Sequence, residues 1–378
     1  MRMKTCHLTR QTQTGLSLVE LMVAITIGML LVLGVTTVIV NTSAARSEQE
    51  RAGRQIENGR FAIQTLSDDI KLAGFYDNYY NLSQPGTSDF STAVPTLPDP
   101  CVSTSLSSLK AAMLLPIQGY DALPDSSNHA ASSVYDALPS VTAAPECKTN
   151  VSSTLLPNYQ AGTDILVTRR ADTNVTSGAL TATSWYIQTM PDNFVFNLGS
   201  NSATFTLTKK DSATAADIRQ YLVHIYYISS KNAQNQSVPT LYMLELGTPP
   251  SSSSCISSGA TAPCFYAVPI AEGIENLQLE YGIDNDQDGS PDTYVVSSPS
   301  TPMTTTQWAH TVTVKVGVLA RNTDISPGNS DTKTYQLGSV TIPAANDQYK
   351  RHAFTSVVRV MNMSMRACIF SSNTNCKT

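Results

Sequence analysis

Residues 15–40 read GLSLVELMVAITIGMLLVLGVTTVIV, and this stretch decides how the chain is organised. From Leu21 to Val40 it carries no charged side chain, and about 20 apolar residues are enough to span the hydrocarbon core of a bilayer as a helix. Residues 1–15 before it hold three basic side chains and no acidic one. Because segments rich in Lys and Arg stay on the cytoplasmic side, the pattern predicts a membrane anchor followed by an exported chain.

The order of these segments differs from that of a secretory signal peptide. In such a signal, the small residues that mark the cleavage site follow a shorter apolar core. Here the small residue, Gly15, precedes the apolar run, and the run continues into a second, amphipathic stretch. Cleavage after Gly15 would therefore remove the basic leader, keep the anchor and make Leu16 the new N-terminus.

Glu20 is an acidic residue at the edge of the apolar run. A carboxylate without a partner is expensive inside a membrane, which favours a functional role. The new ammonium group at Leu16 would lie one helical turn away, so Glu20 could neutralise the ammonium group of a neighbouring subunit in a packed filament. The alternative is a Glu20 side chain at the depth of the lipid headgroups, where it costs little and has no special role.

The helical pattern continues after the anchor, because residues 44–52 are rich in good helix formers. Apolar residues then recur at helical spacing and predict one buried face: Ile56, Ile63, Leu66 and Ile70, with Phe61 and Leu72 near that face. Asp68, Asp69 and Lys71 would occupy the other side. The sequence predicts one helix from Leu16 to Ala73, whose second half packs against the rest of the exported chain.

The composition argues against several classes of function. Charged residues make up 14% of the chain, against roughly 25% in typical soluble domains. Without the leader, the chain has 21 basic and 29 acidic residues and therefore a net charge of −8. It also has no run rich in Lys or Arg, so we predict no nucleic-acid binding. The histidines lie in no recognised nucleophile or zinc motif, and the phosphate-binding glycine motifs are missing, so we predict no enzymatic activity.

The chain after residue 80 is predicted to be rich in β-structure. Residues 80–160 favour loops and short strands. Nine later segments have strand-like patterns separated by turn-rich stretches: Thr163–Arg169, Ser184–Thr189, Ala203–Thr208, Arg219–Ser229, Leu241–Leu246, Ile274–Ile283, Thr311–Leu319, Lys333–Thr341 and His352–Val360. No helical pattern alternates with them, which argues against a parallel sheet. We therefore predict an α+β fold, with a long N-terminal α-helix, anchor plus amphipathic half, packed on a large, mostly antiparallel β-rich head.

Seven cysteines are present, and one of them, Cys6, lies in the leader. The remaining six allow fifteen pairings, and an oxidising compartment predicts up to three disulfides. Proximity in sequence favours the pairs Cys255–Cys264 and Cys368–Cys376, which leaves Cys101–Cys147. The alternative is a set of buried free thiols. A zinc site is not expected, because no Cys-x-x-Cys pair is present.

The sharpest candidate ligand set is the acidic loop of residues 284–292, which reads DNDQDGSPD. Acidic residues at loop positions one, three, five and nine, with Gly at six, match the front of a calcium-binding loop. The predicted Ca²⁺ ligands are the side chains of Asp284, Asp286, Asp288 and Asp292 and the carbonyl of Ser290. The twelfth position is a valine rather than Glu, so the loop is not an EF-hand. The alternative is a polar hairpin turn, in which Asp-Gly is favoured.

The run GLSLVELMVAITIGMLL resembles the class III leader junction and N-terminal helix of type IV pilins and pseudopilins. In that family, prepilin peptidase cuts after the Gly and methylates the new N-terminus, and Glu at the fifth mature position is the hallmark. Gly15, Leu16 and Glu20 match these roles, although major pilins usually have Phe where Leu16 stands. The segment SDDIKLAGFYDN (residues 67–78) and the length of the chain resemble PilW-type minor pilins.

The resemblance implies a leader over residues 1–15, a pilin helix over 16–73 with its membrane span at 16–40, and a globular periplasmic or extracellular head over 74–378. It implies a single-pass inner-membrane protein that reaches the cell surface in a pilus. The implied partners are other minor pilins, the major pilin and a large tip adhesin, with prepilin peptidase as the processing enzyme. The predicted function is a minor pilin that helps start or cap a pilus. A minor pseudopilin of a type II secretion system and a calcium-dependent tip adhesin head are the alternatives.

Overall fold

The computed structural model of the protein describes residues 15, 17–79, 97–122, 156–191, 193–211, 213–251, 253–256, 263–297 and 301–363. Several predictions lie outside the described residues, namely those on residues 1–14, Leu16, Cys147, Cys368 and Cys376. The chain divides into two compact units, Met1–Arg51 and Ala52–Thr378.

The first element is helix α1, Leu18–Leu72, which confirms the predicted long N-terminal helix. The helix is long and apolar enough to cross a membrane. It ends just before Gly74, which has a φ of +74°. A left-handed residue at this place is a common way to stop a helix, and glycine adopts it without a steric penalty.

The buried face of α1 in the second unit differs in part from the predicted one. Leu66 and Ile70 are buried as expected, but Ile56 and Phe61 are 45% and 53% exposed. The prediction that Ile56 lines the buried face is therefore wrong, as is the prediction for Phe61. Gly59 lies on the buried face instead, because any Cβ there would clash with the ring of Phe354. The closest approach of helix and sheet thus uses a residue that apolar periodicity does not reveal.

The remaining helices are short: α2 is Leu106–Ala112, α3 is Thr305–Ala309, and Gly199–Thr204 form a 3-10 helix. Thirteen strands occur in the described part of the chain: β1 Ile117–Tyr120, β2 Ile165–Ala171, β3 Trp185–Thr189, β4 Phe194–Leu198, β5 Ile218–Ser229, β6 Thr240–Gly247, β7 Cys264–Glu272, β8 Ile274–Ile283, β9 Thr293–Val295, β10 Thr311–Arg321, β11 Tyr335–Leu337, β12 Val340–Ile342 and β13 Arg351–Arg359.

These strands form two sheets and a separate hairpin. The larger sheet has seven strands in the order β1-β2-β5-β3-β4, with β6 paired to both β5 and β7. The smaller sheet has four strands in the order β13-β10-β8-β9, and β11 pairs with β12. Every strand pair in these sheets is antiparallel. The long helix and the antiparallel sheets confirm the predicted α+β fold.

Seven of the nine predicted strand segments coincide with observed strands. The prediction for Ala203–Thr208 is wrong, because the chain there leaves a 3-10 helix, and the strand that pairs with β3 is the earlier β4. The prediction of one strand over Lys333–Thr341 is also wrong. That segment folds back on itself as β11 and β12, with Gly338 at the turn in the left-handed region, at a φ of +60°.

The second half of α1 packs against both sheets. Ala62, Leu66 and Ile70 share one buried cluster with Leu166 of the larger sheet and Val316 of the smaller sheet. The opposite face of the larger sheet packs against α2 and the segment that follows α1, in a second apolar cluster. Burial of these side chains provides the main favourable free energy of the fold.

Candidate functional site

Helix α1 begins with a reciprocal cap between Ser17 and Glu20. The Ser17 amide donates to Glu20 Oε2 at 3.0 Å, and the Glu20 amide donates to Ser17 Oγ at 3.3 Å. Two amides that lack partners within the helix are thereby satisfied. The carboxylate also interacts favourably with the positive end of the helix dipole. Because both residues follow Gly15, cleavage after Gly15 would leave the cap in the mature chain.

Sequence reasoning missed this cap, although Ser-x-x-Glu before an apolar run is a capping signature. Gly15 and Glu20 are both exposed. A carboxylate has acceptor sites on both oxygens, so Glu20 can keep its own cap and still accept a hydrogen bond from an outside cation. An ammonium group of another subunit fits that chemistry.

The polar side chains inside the apolar run are satisfied within the helix. The hydroxyl groups of Thr26, Thr36 and Thr37 donate to the carbonyl oxygens of residues three or four positions earlier, at 2.7–2.8 Å. Unpaired polar groups are costly in the hydrocarbon core of a bilayer. These internal hydrogen bonds therefore make the run compatible with a membrane despite its threonines.

Asp69 connects helix α1 to the larger sheet and is only 6% exposed. Its Oδ1 accepts a hydrogen bond from Arg170 Nε at 2.8 Å. Its Oδ2 lies 2.8 Å from His224 Nδ1 and accepts from the hydroxyl groups of Tyr226, at 3.1 Å, and Thr168. The predicted position of Asp69 on the side away from the core is therefore wrong.

The pKa of the Asp69 carboxyl reflects these contacts. Burial alone would raise its pKa, but the interactions with His224, Arg170 and Thr168 outweigh the desolvation and hold the pKa well below its usual range. Asp69 is therefore ionised in the fold and acts as a buried acceptor for its neighbours. The buried Asp69–His224 pair offers a contact between helix and sheet rather than a surface for a substrate.

The acidic loop of residues 284–292 joins β8 to β9. Ile283 pairs with Thr293 across the antiparallel strands, and the Asp292 amide donates to the Ile283 carbonyl at 2.9 Å. Gln287 and Gly289 adopt positive φ values of 59° and 88° inside the loop. The predicted hairpin geometry is therefore present, and it folds the loop back so that its carboxylates face each other.

Three of the five predicted calcium ligands converge in this loop. One oxygen each of Asp284, Asp286 and Asp292 lies within 4.8 Å of the other two. Asp288 Oδ1 accepts a hydrogen bond from the Ser290 amide at 2.7 Å. Hard oxygen ligands at this spacing are the kind that Ca²⁺ takes, although Ca²⁺ needs six to eight of them.

Burial raises the pKa of the Asp284 carboxyl, and the nearby charge of Asp288 acts in the same direction. Hydrogen bonds from the amides of Gly289, Gln287 and Asp288 lower the pKa and offset part of this effect. The Asp284 carboxylate thus stabilises the loop by accepting hydrogen bonds from its amides. A cation bound beside it would offset the unfavourable burial of its negative charge.

One predicted disulfide is present, between Cys255 and Cys264, with Cα atoms 5.6 Å apart. It ties the segment before β7 to the first residue of that strand. Cys101 is disulfide-bonded as well. Its predicted partner, Cys147, lies outside the described residues.

Two comparisons with protein families bear on the class of the protein. Residues 10–36 match the prokaryotic N-terminal methylation motif, and on a chain with this helix the match supports a membrane-anchored, type IV pilin-like protein. Residues 225–362 match the family described as type IV pilus-assembly protein W, and this second match supports a type IV pilin-like protein of the PilW type. These families point to a structural, non-enzymatic protein that interacts with other pilus components. Searches of curated proteins and of solved structures give no match.

The PilW match covers the acidic loop and the whole smaller sheet. It begins within β5, so the first strands of the larger sheet precede it. Neither match includes Asp69, which lies between them in the sequence.

Proposed function

We propose that the protein is a minor pilin that helps initiate type IV pilus assembly and sits at or near the tip of the pilus. The observation that carries this proposal is the presence of the N-terminal methylation motif and the PilW match on one chain. The predicted head, residues 74–378, is several times longer than the helix before it. A head of this size is tolerated best at a fibre end, where it does not have to repeat along the shaft.

In this proposal, prepilin peptidase removes residues 1–15 and methylates Leu16. Gly15 is exposed next to a helix that already begins at Leu18, so the junction is reachable. Before assembly the apolar part of α1 anchors the protein in the inner membrane, with the head in the periplasm. Most of the apolar side chains between Leu18 and Val40 are more than half exposed. They would contact lipid before assembly and the helices of neighbouring subunits after it.

Glu20 would then act in assembly rather than in anchoring. Its carboxylate would pair with the methylated ammonium group of a neighbouring subunit, because each charge would be costly to bury without a partner where water is excluded. The partners in this step would be other minor pilins and the major pilin. A large tip adhesin would contact the head.

The experiment that tests the proposal is the intact mass of the protein from cells with and without prepilin peptidase, combined with a count of surface pili after deletion of its gene. We expect loss of residues 1–15 and addition of one methyl group only when the peptidase is present, and far fewer pili in the deletion strain. An uncut chain, or a chain cut after the apolar run, would contradict the pilin processing. A deletion strain with normal pili but defective protein secretion would favour a minor pseudopilin, which carries the same N-terminal motif.

The acidic loop motivates a second, separate role for the head. The convergence of Asp284, Asp286 and Asp292 favours a Ca²⁺ ion completed by Asp288 and the Ser290 carbonyl. A head that folds or binds with Ca²⁺ could serve as a calcium-dependent adhesin at the tip. Adhesion that persists unchanged in the presence of a chelator would contradict this role.

A further inference from the structure

The smaller sheet has one face towards helix α1 and a second face directed away from it. Val316 of β10 lies in the apolar cluster that contains the buried side chains of α1. Because successive side chains on a strand point to opposite faces, Lys315, Gly317 and Leu319 lie on the second face. The β11–β12 hairpin covers part of this face, since its Leu337 shares a small apolar cluster with Leu319.

A pocket of about 310 Å³ lies where the hairpin meets the second face of the sheet. This hairpin pocket is lined by Gln278, Lys315 and Thr355 from three adjacent strands and by Leu337 and Ser339 from the hairpin. Its volume is at the lower end of the range for small-molecule sites, which is about 300–1,000 Å³. The hairpin pocket is therefore large enough for one ring-sized ligand and too small for a folded segment.

Two glycines allow the hairpin to approach the sheet closely. A Cβ at Gly317 would lie 3.0 Å from the Cβ of Leu337, and a Cβ at Gly338 would lie 2.6 Å from Glu280 Oε1. The same Glu280 oxygen accepts a hydrogen bond from the Ser339 amide, which fastens the turn of the hairpin to the sheet. The walls of the hairpin pocket are thus in place before a ligand enters, and a preformed site avoids the cost of ordering them.

Gln278 gives the hairpin pocket an acceptor that the fold leaves unused. The residue is 3% exposed, and its Nε2 donates to the Gly162 carbonyl at 3.0 Å and to Asn276 Oδ1 at 2.8 Å. Both amide hydrogens are therefore engaged, which sets the orientation of the amide. Its Oε1 is buried and has no hydrogen-bond partner among the described residues. A buried acceptor without a donor is unfavourable, so a ligand that brings a hydroxyl or N–H group would be stabilised here.

The other polar groups of the hairpin pocket carry no net charge. Lys315 Nζ lies 3.1 Å from Glu280 Oε2 and 3.6 Å from the centroid of the Tyr294 ring. Burial raises the pKa of Glu280, but the hydrogen bonds from Lys315 and Ser339 outweigh this effect and lower the pKa, so the ion pair persists at neutral pH. The carboxylate accepts one of the three ammonium donors. Thr355 is exposed, and its hydroxyl can both donate and accept.

We propose that the hairpin pocket binds one ring of a neutral saccharide. Sugar hydroxyl groups donate and accept at once, which suits the unused acceptor of Gln278, the ammonium donors of Lys315 and the hydroxyl of Thr355. The apolar C–H groups of the ring would pack against Leu337 and against Val357, which also lines the pocket and is 61% exposed.

The charge of the protein favours a neutral sugar over an anionic one. The hairpin pocket holds a balanced ion pair, and the whole chain carries a net charge of −5, which repels anions. None of the residues that line the pocket belongs to the acidic loop of residues 284–292. The site is therefore separate from the Ca²⁺-dependent role proposed for that loop and goes beyond the pilin function.

The test is binding of the full-length protein to an array of immobilised glycans. The detergent must lack a sugar headgroup, so that it cannot occupy the hairpin pocket. The array carries neutral glycans that end in a hexose or an N-acetylhexosamine, and the same glycans capped with sialic acid. We expect binding to at least one neutral glycan, weaker binding to its sialylated form, and no change when a chelator removes Ca²⁺.

The site is located by variants titrated with the best-bound neutral glycan. Thr355→Val keeps the shape of an exposed side chain but removes its hydroxyl, and the dissociation constant should rise about threefold to tenfold. Gln278→Met removes the buried acceptor and should raise it about tenfold. Thr341→Val is the matched control, because Thr341 is exposed on β12 and does not line the pocket. If thermal unfolding shows that Gln278→Met does not fold, Thr355→Val decides.

Four results would overturn the proposal. The first is the absence of binding to every neutral glycan. The second is a dissociation constant that neither pocket variant changes, which would place the binding site elsewhere on the chain. The third is tighter binding to the sialylated glycans, which contradicts a neutral ligand. The fourth is binding that disappears with chelator, which would assign the glycan to the acidic loop instead.

Discussion

The carboxyl groups of Asp121 and Asp164 are hydrogen-bonded to each other at the junction of the two sheets. Asp164 Oδ2 accepts from the Leu279 amide of β8 at 2.7 Å, and Asp164 Oδ1 accepts from the Ala122 amide at 3.1 Å. The Asp121 amide donates to the Ser297 carbonyl at 3.1 Å. The pair therefore links the ends of β1 and β2 in the larger sheet to the middle of β8 in the smaller sheet. Two negative charges on carboxyl groups in direct contact would repel each other.

This pair predicts a pH dependence of stability. Burial raises the pKa of both carboxyl groups, and the charge of Asp121 raises that of Asp164 further. Between the pKa in the unfolded state, about 4, and the higher pKa in the folded state, the folded protein therefore binds more protons than the unfolded protein. The contribution of the pair to stability is greatest at low pH and falls through that window.

Asp121→Asn should remove this dependence, because the amide can donate to Asp164 without carrying a charge. We expect the free energy of unfolding of the variant to exceed that of the wild type at pH 8 by about 1 kcal/mol, and the difference to shrink towards pH 4. Denaturant unfolding of the full-length protein in detergent, at several pH values, measures this difference. A variant that is less stable than the wild type at pH 8 would show that the pair does not share a proton.

Asp69→Ala should strongly destabilise the head. The substitution leaves the buried His224 and the partly buried Arg170 without their carboxylate, and breaking a buried ion pair in this way costs about 3–5 kcal/mol. The neighbouring Asp68→Ala is the matched control, since that side chain is 57% exposed and contacts Lys71 on the surface. We expect a loss below about 0.5 kcal/mol for it. If denaturant unfolding shows that both variants lose the same free energy of unfolding, the contact of Asp69 with the sheet contributes nothing specific.

The two roles of Glu20 can be separated by substitution. Gln at this position keeps the cap with Ser17 but removes the charge, whereas Ser17→Ala removes one half of the cap and keeps the charge. If Glu20 pairs with an ammonium group, the Glu20→Gln variant should be cleaved normally. Its amount in the pilus fraction should fall about tenfold, which corresponds to a loss of about 1.4 kcal/mol in the free energy of incorporation. Ser17→Ala should be incorporated nearly normally. The ratio of pilus-bound to membrane-bound protein measures both, and normal incorporation of Glu20→Gln would refute the charge-pairing role.

Calcium should stabilise the head if the acidic loop binds it. At a free Ca²⁺ concentration one hundred times the dissociation constant, the expected gain is about 2.7 kcal/mol. Asp286→Asn should abolish the gain, because it removes one of the three carboxylates that converge in the loop, and since Asp286 is exposed the substitution should disturb the fold little. Asp211→Asn, in an exposed loop where the carboxylate bonds to Thr214, is the control and should leave the gain intact. Equal thermal stability with Ca²⁺ and with chelator would contradict Ca²⁺ binding by the acidic loop.

The sequence was sufficient for features that depend on neighbours along the chain. Uninterrupted apolar residues predicted α1, alternation predicted most of the long strands, and proximity predicted the Cys255–Cys264 disulfide. The Ser17–Glu20 cap could have been predicted by the same reasoning, since both residues lie in one helical turn.

Features that depend on distant residues were not predictable in this way. The partners of Asp69 lie 99 to 157 residues further along the chain, so its burial could not be inferred from a helix with charged neighbours. The exposure of Phe61 and the burial of Gly59 likewise depend on where a strand of the smaller sheet crosses the helix. For short strands such as β4, pairing in the sheet decides the conformation more than local residue preference does.

The cap at the start of α1 has a consequence for the timing of maturation. Ser17 and Glu20 form the first turn with each other and use no residue of the leader. If the chain is cut after Gly15 as proposed, the precursor and the mature subunit share the same helix start, and proteolysis changes only the chemical group that precedes it. The first helical turn then needs no refolding after the cut, so the proposed subunit would be competent to join a growing fibre from the moment the leader is released.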